Sequence, residues 1–439
     1  MRRVLAVVIA AVLVPLTWGQ SSFSCSCGKN PPGRPQNREM RPYAEAPEDL
    51  RPYSKFTTPY YENYTSLIEY NGAARDIPDP NPSTINEVRI GFLGPVYDHP
   101  DHALGQKMLN GVTMAIDEAN AAGVQIGNDK VKLELLSEDD QADPKQGTIV
   151  AQKLVDAKVA GVIGHLNSGT TIPASKIYHD AGIAQISPSA TNVTYTNQGF
   201  KTAFRVIAND AQQGKVLGQF AVTKLGAKNI AIIDDRSAYG QGLADEFEKA
   251  ATAAGATILT REFTDTTKTD FTAILTSIKG KNPDLIFYGG MDAQAGPMMK
   301  QIKNLGITAK YLGGDGIQSA EFLKLAGDAG EGVYGSSPGV PLAQMPGGKD
   351  FETRYKDKFK IDIQIYAPYA YDAANVMLAA MKKAGSTDPA KYLPELANIQ
   401  FQGVTGPISF DEKGDLKGGG ISLYQVKGGK WEFLETIGG

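Results

Sequence analysis

Two neighbouring stretches, GVIGHLNSGTT (Gly161 to Thr171) and AQISPSATN (Ala184 to Asn192), carry residues that could do chemistry. Each reads as a short apolar strand, then a loop of small hydroxyl residues, then a helix. A helix start exposes unpaired backbone N–H groups and a partial positive charge. Ser168, Thr170, Ser189 and Thr191 place hydroxyl donors at the same points. Side by side, two such loops make a socket for an anion the size of a carboxylate; taken singly, each would only cap a helix. Further along, GGDG (Gly313 to Gly316) follows a strand and sets Asp315 at its end. A carboxylate there either pairs with an ammonium or caps a turn. Tyr239 and Met291 fall in two neighbouring strand-to-helix loops, as apolar walls of a cleft or as core.

Other constellations point away from catalysis. DHPDH (Asp98 to His102) has a plausible metal pair in His99 and His102, but no third remote ligand, and reads as a polar lip on a cleft. His165 stands close to Ser168, yet no GxSxG elbow surrounds that serine and no orienting acid is evident. A packed histidine is expected. Neither GxGxxG after a strand nor GxxxxGK is present. We therefore expect no cofactor, no metal and no enzyme activity.

The elements that must position these residues alternate. VRIGFLGP from Val88 is a strand, and Met108, Leu109, Val112, Ala115, Ile116 and Ala119 form a helical stripe ending at Gly123. Strand Val131–Leu136, helix Pro144 to Ala157 and strand Ala160–Ile163 follow. The alternation restarts at Asn229 with NIAIIDD, the loop 236–242 and a helix bearing Leu243 and Phe247. Strand Thr257–Phe263, helix Phe271–Ile278, strand Leu285–Tyr288, helix Gly296–Leu305 and strand Tyr311–Leu312 complete it. Strands alternating with helices predict parallel sheets with crossover helices. Two such units in series predict two lobes, with a ligand at the strand C-termini between them.

The 439 residues are 42% hydrophobic and 21% charged, with a net charge of −4, room for two domains and no basic stripe for nucleic acid. Arg2 and Arg3 precede an apolar run, Val4 to Leu16, too short to span a bilayer. Residues 1–24 thus read as a signal peptide. The two cysteines, Cys25 and Cys27, lie just beyond it and cannot cross-link the core. Cys25 is a candidate lipid-attachment position, although Ser22-Phe23-Ser24 lacks the usual preceding Leu. Residues 25–87 form a Pro- and Tyr-rich linker in which Arg-Pro-Tyr occurs twice.

From Val88 onward the chain resembles the branched-chain amino acid (leucine, isoleucine, valine) substrate-binding proteins of bacterial ATP-driven importers. The matching motifs are DDQADPKQ (Asp139 to Gln146), IGHLNSGTTIPAS (Ile163 to Ser175), QISPSATN, AIIDD…AYGQGLA, PDLIFYGG and FDEKGDLKG (Phe410 to Gly418). The resemblance implies an α/β fold of two doubly wound lobes joined by a three-crossing hinge, the type I periplasmic binding protein. Lobe one would take residues 88–209 and 339–403, and lobe two 210–338 and 404–439. By the same resemblance Ser168, Ser189 and Thr191 hold an amino acid's carboxylate and Asp315 its ammonium. Tyr239 matches a cleft tyrosine, and Leu104 and Met291 stand where the family has pocket aromatics. The implied protein is a periplasmic or extracytoplasmic monomer, lipid-anchored if Cys25 is processed. It would capture a free amino acid and deliver it to ABC permease membrane subunits. An amide, urea or aromatic-acid receptor or sensor of the same fold is the alternative.

Overall fold

The computed structural model describes residues 85–97 and 99–438. The signal peptide, Cys25 and nearly all of the linker lie outside the described residues.

Lobe one is a six-stranded sheet in the order β2-β3-β1-β4-β5-β6. Its strands are β1 (Ile85–Gly94), β2 (Val124–Ile126), β3 (Asp129–Asp139), β4 (Gly161–Gly164), β5 (Gln185–Ser187) and β6 (Ala203–Arg205). All pairings are parallel except β2 with β3. Alternate residues of β1 serve opposite faces. Ile90 and Phe92 face α1 (His102–Ala122), α11 (Ala367–Ala384) and α12 (Pro389–Ala397). Leu93 faces α2 (Pro144–Asp156) and α3 (Ser168–Asp180). Because both faces are covered, β4 is buried along its whole length.

Lobe two is a seven-stranded sheet in the order β15-β14-β11-β10-β9-β7-β8. Strands β7 (Asn229–Asp234), β8 (Thr257–Phe263), β9 (Leu285–Gly289), β10 (Lys310–Gly313) and β11 (Tyr334–Pro338) run parallel. The hairpin β14 (Ile421–Lys427) and β15 (Lys430–Ile437) adds antiparallel to β11. Ile230 and Ile232 of β7 pack on α5 (Asp210–Thr223) and α6 (Ala238–Ala253), where Phe247 stacks on Phe287 with centroids 3.7 Å apart. Ala231 and Ile233 pack on α7 (Thr272–Lys281), α8 (Asp292–Asn304) and α9 (Ala320–Ala326). Each large buried side chain here contributes about 1.5 to 3 kcal/mol by leaving water.

Three differences from the sequence reading bear on the site. The loop after β7 is shorter than 236–242, because the Ser237 hydroxyl accepts from Gly240 N–H at 2.9 Å and starts α6 at Ala238. Helix α8 begins at Asp292, a turn before Gly296. The third passage between lobes falls after Leu416, not at residue 404. Ile408 and Phe410 are buried in the lobe-one core, and the Phe410 ring lies 5.0 Å from that of Phe204. Asp372 of α11 accepts from Val404 N–H and Thr405 N–H, binding this segment to lobe one.

Candidate functional site

The C-terminal ends of the strands of both sheets border one cavity of about 490 Å³. Lobe one contributes the turn after β4 (Leu166, Asn167, Ser168), Ser189 after β5, the loop before α1 and Tyr366. Lobe two contributes Asp235 to Tyr239 after β7, Met291 after β9 and Asp315 after β10.

In lobe one, Ser168 is the first residue of α3 and is buried. Its Oγ accepts from Asn192 N–H at 3.3 Å, so its own hydrogen remains to be donated. Ser189 Oγ donates to the Leu166 carbonyl at 2.9 Å, fastening the two hydroxyl-rich turns together. The turn after β5 does not lead into a long helix. It is followed by a single turn, α4 (Thr194–Asn197). A buried cation shapes it instead. Arg205, fully buried on β6, donates to the carbonyls of Ala190 at 2.8 Å and Asn192 at 3.0 Å. Its Nε pairs with Asp415 at 2.5 Å. Multiple charged donors on one turn fix its orientation.

In lobe two, a brief 3₁₀ turn, Asp315–Ile317, follows β10 and buries Asp315. Its Oδ1 accepts from Gln213 Nε2 at 2.9 Å and from the Tyr239 hydroxyl at 2.8 Å. Its Oδ2 accepts from the Tyr366 hydroxyl, which belongs to lobe one, at 2.6 Å. Burial, and then the negative charge of Asp315, holds both tyrosines well above their usual range, so they remain donors at neutral pH. Tyr366–Asp315 is therefore a hydrogen bond between the lobes, and Asn192 Nδ2 to the Ala238 carbonyl is a second. Behind the cavity, Asp210 at the start of α5 is fully buried, and neither carboxyl oxygen has a hydrogen-bond partner. Burial, reinforced by Asp315, pushes it up to about 8.

Of the residues singled out by sequence, Ser168, Ser189, Tyr239, Met291 and Asp315 line this one cavity. Two do not. Thr191 is buried beside Asp210, its hydroxyl without a partner. Leu104, a correction, is half-buried against the lobe-one core, and the turn before α1 presents Pro100 and Asp101 to the cavity instead. The DHPDH lip is borne out for His99 to Asp101, while Asp98 lies outside the described residues. Among the described residues no group of three or more His, Cys, Asp or Glu is placed to hold a metal ion. His165 is the packed histidine anticipated. It is fully buried, with Nδ1 2.7 Å from Asp140 and Nε2 3.2 Å from the Tyr178 hydroxyl, so neither nitrogen is left to activate Ser168. Sequence reasoning missed Tyr366, Gln213 and Arg205. Gln213 had a local signal, lying one helical turn from Asp210; Tyr366 had none.

This geometry defines a two-lobed binding protein with an interlobe ligand cleft. A family model described as periplasmic binding protein matches residues 87–430, and the chain belongs to that family. It is similar to the Leu/Ile/Val-binding protein homolog 1 of Brucella abortus (strain 2308), 38% identical over 352 residues, covering 79% of this chain and 91% of the relative. It is also similar to the leucine-, isoleucine-, valine-, threonine-, and alanine-binding protein of Pseudomonas aeruginosa, 35% identical, covering 77% and 89%. Among solved structures, the branched-chain amino acid transporter substrate binding protein LivJ of Streptococcus pneumoniae, in complex with isoleucine, aligns with a TM-score of 0.73. That match is 29% identical and covers 81% of this chain and all of the other.

Proposed function

We propose that this chain is the extracytoplasmic solute-binding component of an ABC importer, capturing a free amino acid of the branched-chain class. The single observation that carries the reading is one cavity with a hydroxyl at a helix start, Ser168, on one lobe and a buried carboxylate, Asp315, on the other. The ligand's α-carboxylate takes the Ser168 end and its α-ammonium the Asp315 end. Ser189 then serves as the clamp between the two turns, and Thr191 steadies the second turn from behind. Met291, Ala238 and Leu166 supply apolar wall for the side chain.

Both ionic ends of the ligand lose water on entry, so each must gain charge-assisted hydrogen bonds. Opposite ends touch opposite lobes, and only the closed form makes both sets of contacts. The ligand thereby shifts the open–closed equilibrium, and the permease subunits read the closed shape. One chain supplies both halves of the site, so a monomer suffices, and the role requires no catalytic group. The names of the relatives support the ligand class, and the family supports an extracytoplasmic place.

A thermal-shift screen with leucine, isoleucine, valine, acetamide, urea and benzoate tests it. Ligand at a hundred times its dissociation constant stabilises by about 2.7 kcal/mol. The amino acids should raise the melting temperature and the others should not. A shift with benzoate or urea alone would replace this reading with the receptor of those ligands.

A further inference from the structure

Besides Ser168 and Asp315, the cavity is lined by two further buried carboxyl groups, Asp101 and Asp235. Asp101 occupies the N-cap position of α1, yet its carboxyl makes no capping hydrogen bond. It accepts from Asn167 Nδ2 at 2.9 Å and lines the cavity, buried. An N-cap aspartate normally satisfies one of the helix's free N–H groups, so this side chain has been drawn from its local role toward the cleft. Asn167 also lines the cavity, and its Oδ1 has no donor. On the opposite lobe Asp235 lines the same cavity, 2% exposed. Its Oδ1 accepts from Ser237 N–H at 2.9 Å, and its Oδ2 has no donor.

The two aspartates repel one another. Burial first, opposed by hydrogen bonds from Ser237 and reinforced by the charge of Asp234 and, least, that of Asp101, raises Asp235 to about 6. Burial also raises Asp101. The basic groups nearby, His99 and Arg236, line the same cavity and answer them only in part. His99 lies 3.8 Å from Asp101, but its Nδ1 accepts the Asp101 backbone N–H at 3.1 Å and is occupied. The Arg236 guanidinium lies over the Phe263 ring, 3.2 Å from its centroid. Two desolvated carboxyl groups, one from each lobe, thus border the same space, where Asp235 Oδ2 and Asn167 Oδ1 lack donors. The cavity, at about 490 Å³, also has the size of sites for ligands larger than a small aliphatic amino acid.

We infer that this end of the cavity receives a cationic side-chain terminus, an amine or amidinium, between Asp101 and Asp235, so that the protein also takes diamino acids of the lysine type. This rests on the reading that Ser168 and Asp315 hold the α-carboxylate and α-ammonium. A terminal ammonium brings three donors and a positive charge. It fills the empty acceptor positions and offsets the repulsion between the two carboxyl groups.

Calorimetry on the full chain with L-lysine, L-ornithine and L-norleucine tests the assignment, since norleucine has lysine's carbon chain without its amine. Lysine or ornithine should bind roughly tenfold or more tightly than norleucine, the scale of one charge-assisted bond. Asp235→Asn and Asp101→Asn should each pull the lysine-to-norleucine ratio toward one. Melting curves show whether each variant folds, and either variant alone carries the test. Norleucine or leucine binding as tightly as lysine overturns the inference while leaving the amino acid reading intact. Failure of every amino acid to bind would instead remove that underlying reading.

Discussion

Asp315→Asn keeps the outline of the side chain and removes its charge. In the folded protein the carboxylate collects three donors, Gln213 Nε2 at 2.9 Å, the Tyr239 hydroxyl at 2.8 Å and the Tyr366 hydroxyl at 2.6 Å. An amide oxygen still accepts the first two, and the Tyr366 hydroxyl can turn to accept from the amide nitrogen. The cost to folding is therefore small, about 1 kcal/mol. Ligand binding is affected differently. On the proposed placement the α-ammonium is stripped of water at a site where Asp315 is only 4% exposed, and an amide offers it no opposite charge. Loss of one partner of a buried ion pair costs about 3 kcal/mol or more, a fall of roughly 150-fold in affinity. Isothermal calorimetry with leucine measures it, and a melting curve confirms the fold. An affinity within a factor of about three of the unaltered protein would refute the placement of the ammonium on Asp315.

Three further outcomes follow from the same geometry. Tyr366→Phe deletes a hydrogen bond between the lobes, worth about 1 kcal/mol, and should enlarge the radius of gyration of the ligand-free protein in solution scattering; an unchanged radius would show that Tyr366 does not hold the lobes together. Asp210 binds its proton up to about 8 in the folded protein, against the ordinary 3.8 of a free aspartate, so the folded chain keeps a proton that the unfolded chain releases. Its contribution is full below the lower value and is lost as pH rises through the upper one, on the order of 5 kcal/mol in all. Asp210→Asn should gain stability over the unaltered protein between pH about 4.5 and about 8.5 in urea unfolding, and parallel pH curves would contradict this. Asp415→Ala leaves the fully buried Arg205 without its carboxylate and should cost about 3 to 5 kcal/mol by denaturant unfolding; a cost under about 1 kcal/mol would show that the carbonyls of Ala190 and Asn192 suffice.

Much of the site could be read from local pattern. Ser168, Ser189, Tyr239, Met291 and Asp315 follow strand ends, and in a parallel α/β sheet strand ends collect on one side by construction. Leu104 was placed by resemblance to a family pocket position, and resemblance does not say how this chain's own loop before α1 turns; here Leu104 packs against the lobe-one core. The boundary at 404 came from the same resemblance, and local pattern offered nothing to correct it. The short pair β12 (Phe401–Gln402) and β13 (Pro407–Ile408) gives no sign of its partner, and only Asp372 and Phe204 show that the segment stays on lobe one.

The alternation of apolar runs with helical stripes was enough to determine two doubly wound sheets, and the hydroxyl and acidic turns were enough to point to a dipolar ligand, because both signals are local and repeat at fixed periods. Tertiary structure alone decided what surrounds Asp315. Tyr366 comes to it from another lobe, 51 residues along the chain. It likewise decided that Asp101 leaves its helix to meet Asn167, 66 residues away, and share a cavity with Asp235. Such encounters depend on how one rigid lobe closes on another, and no periodicity in a sequence encodes that distance.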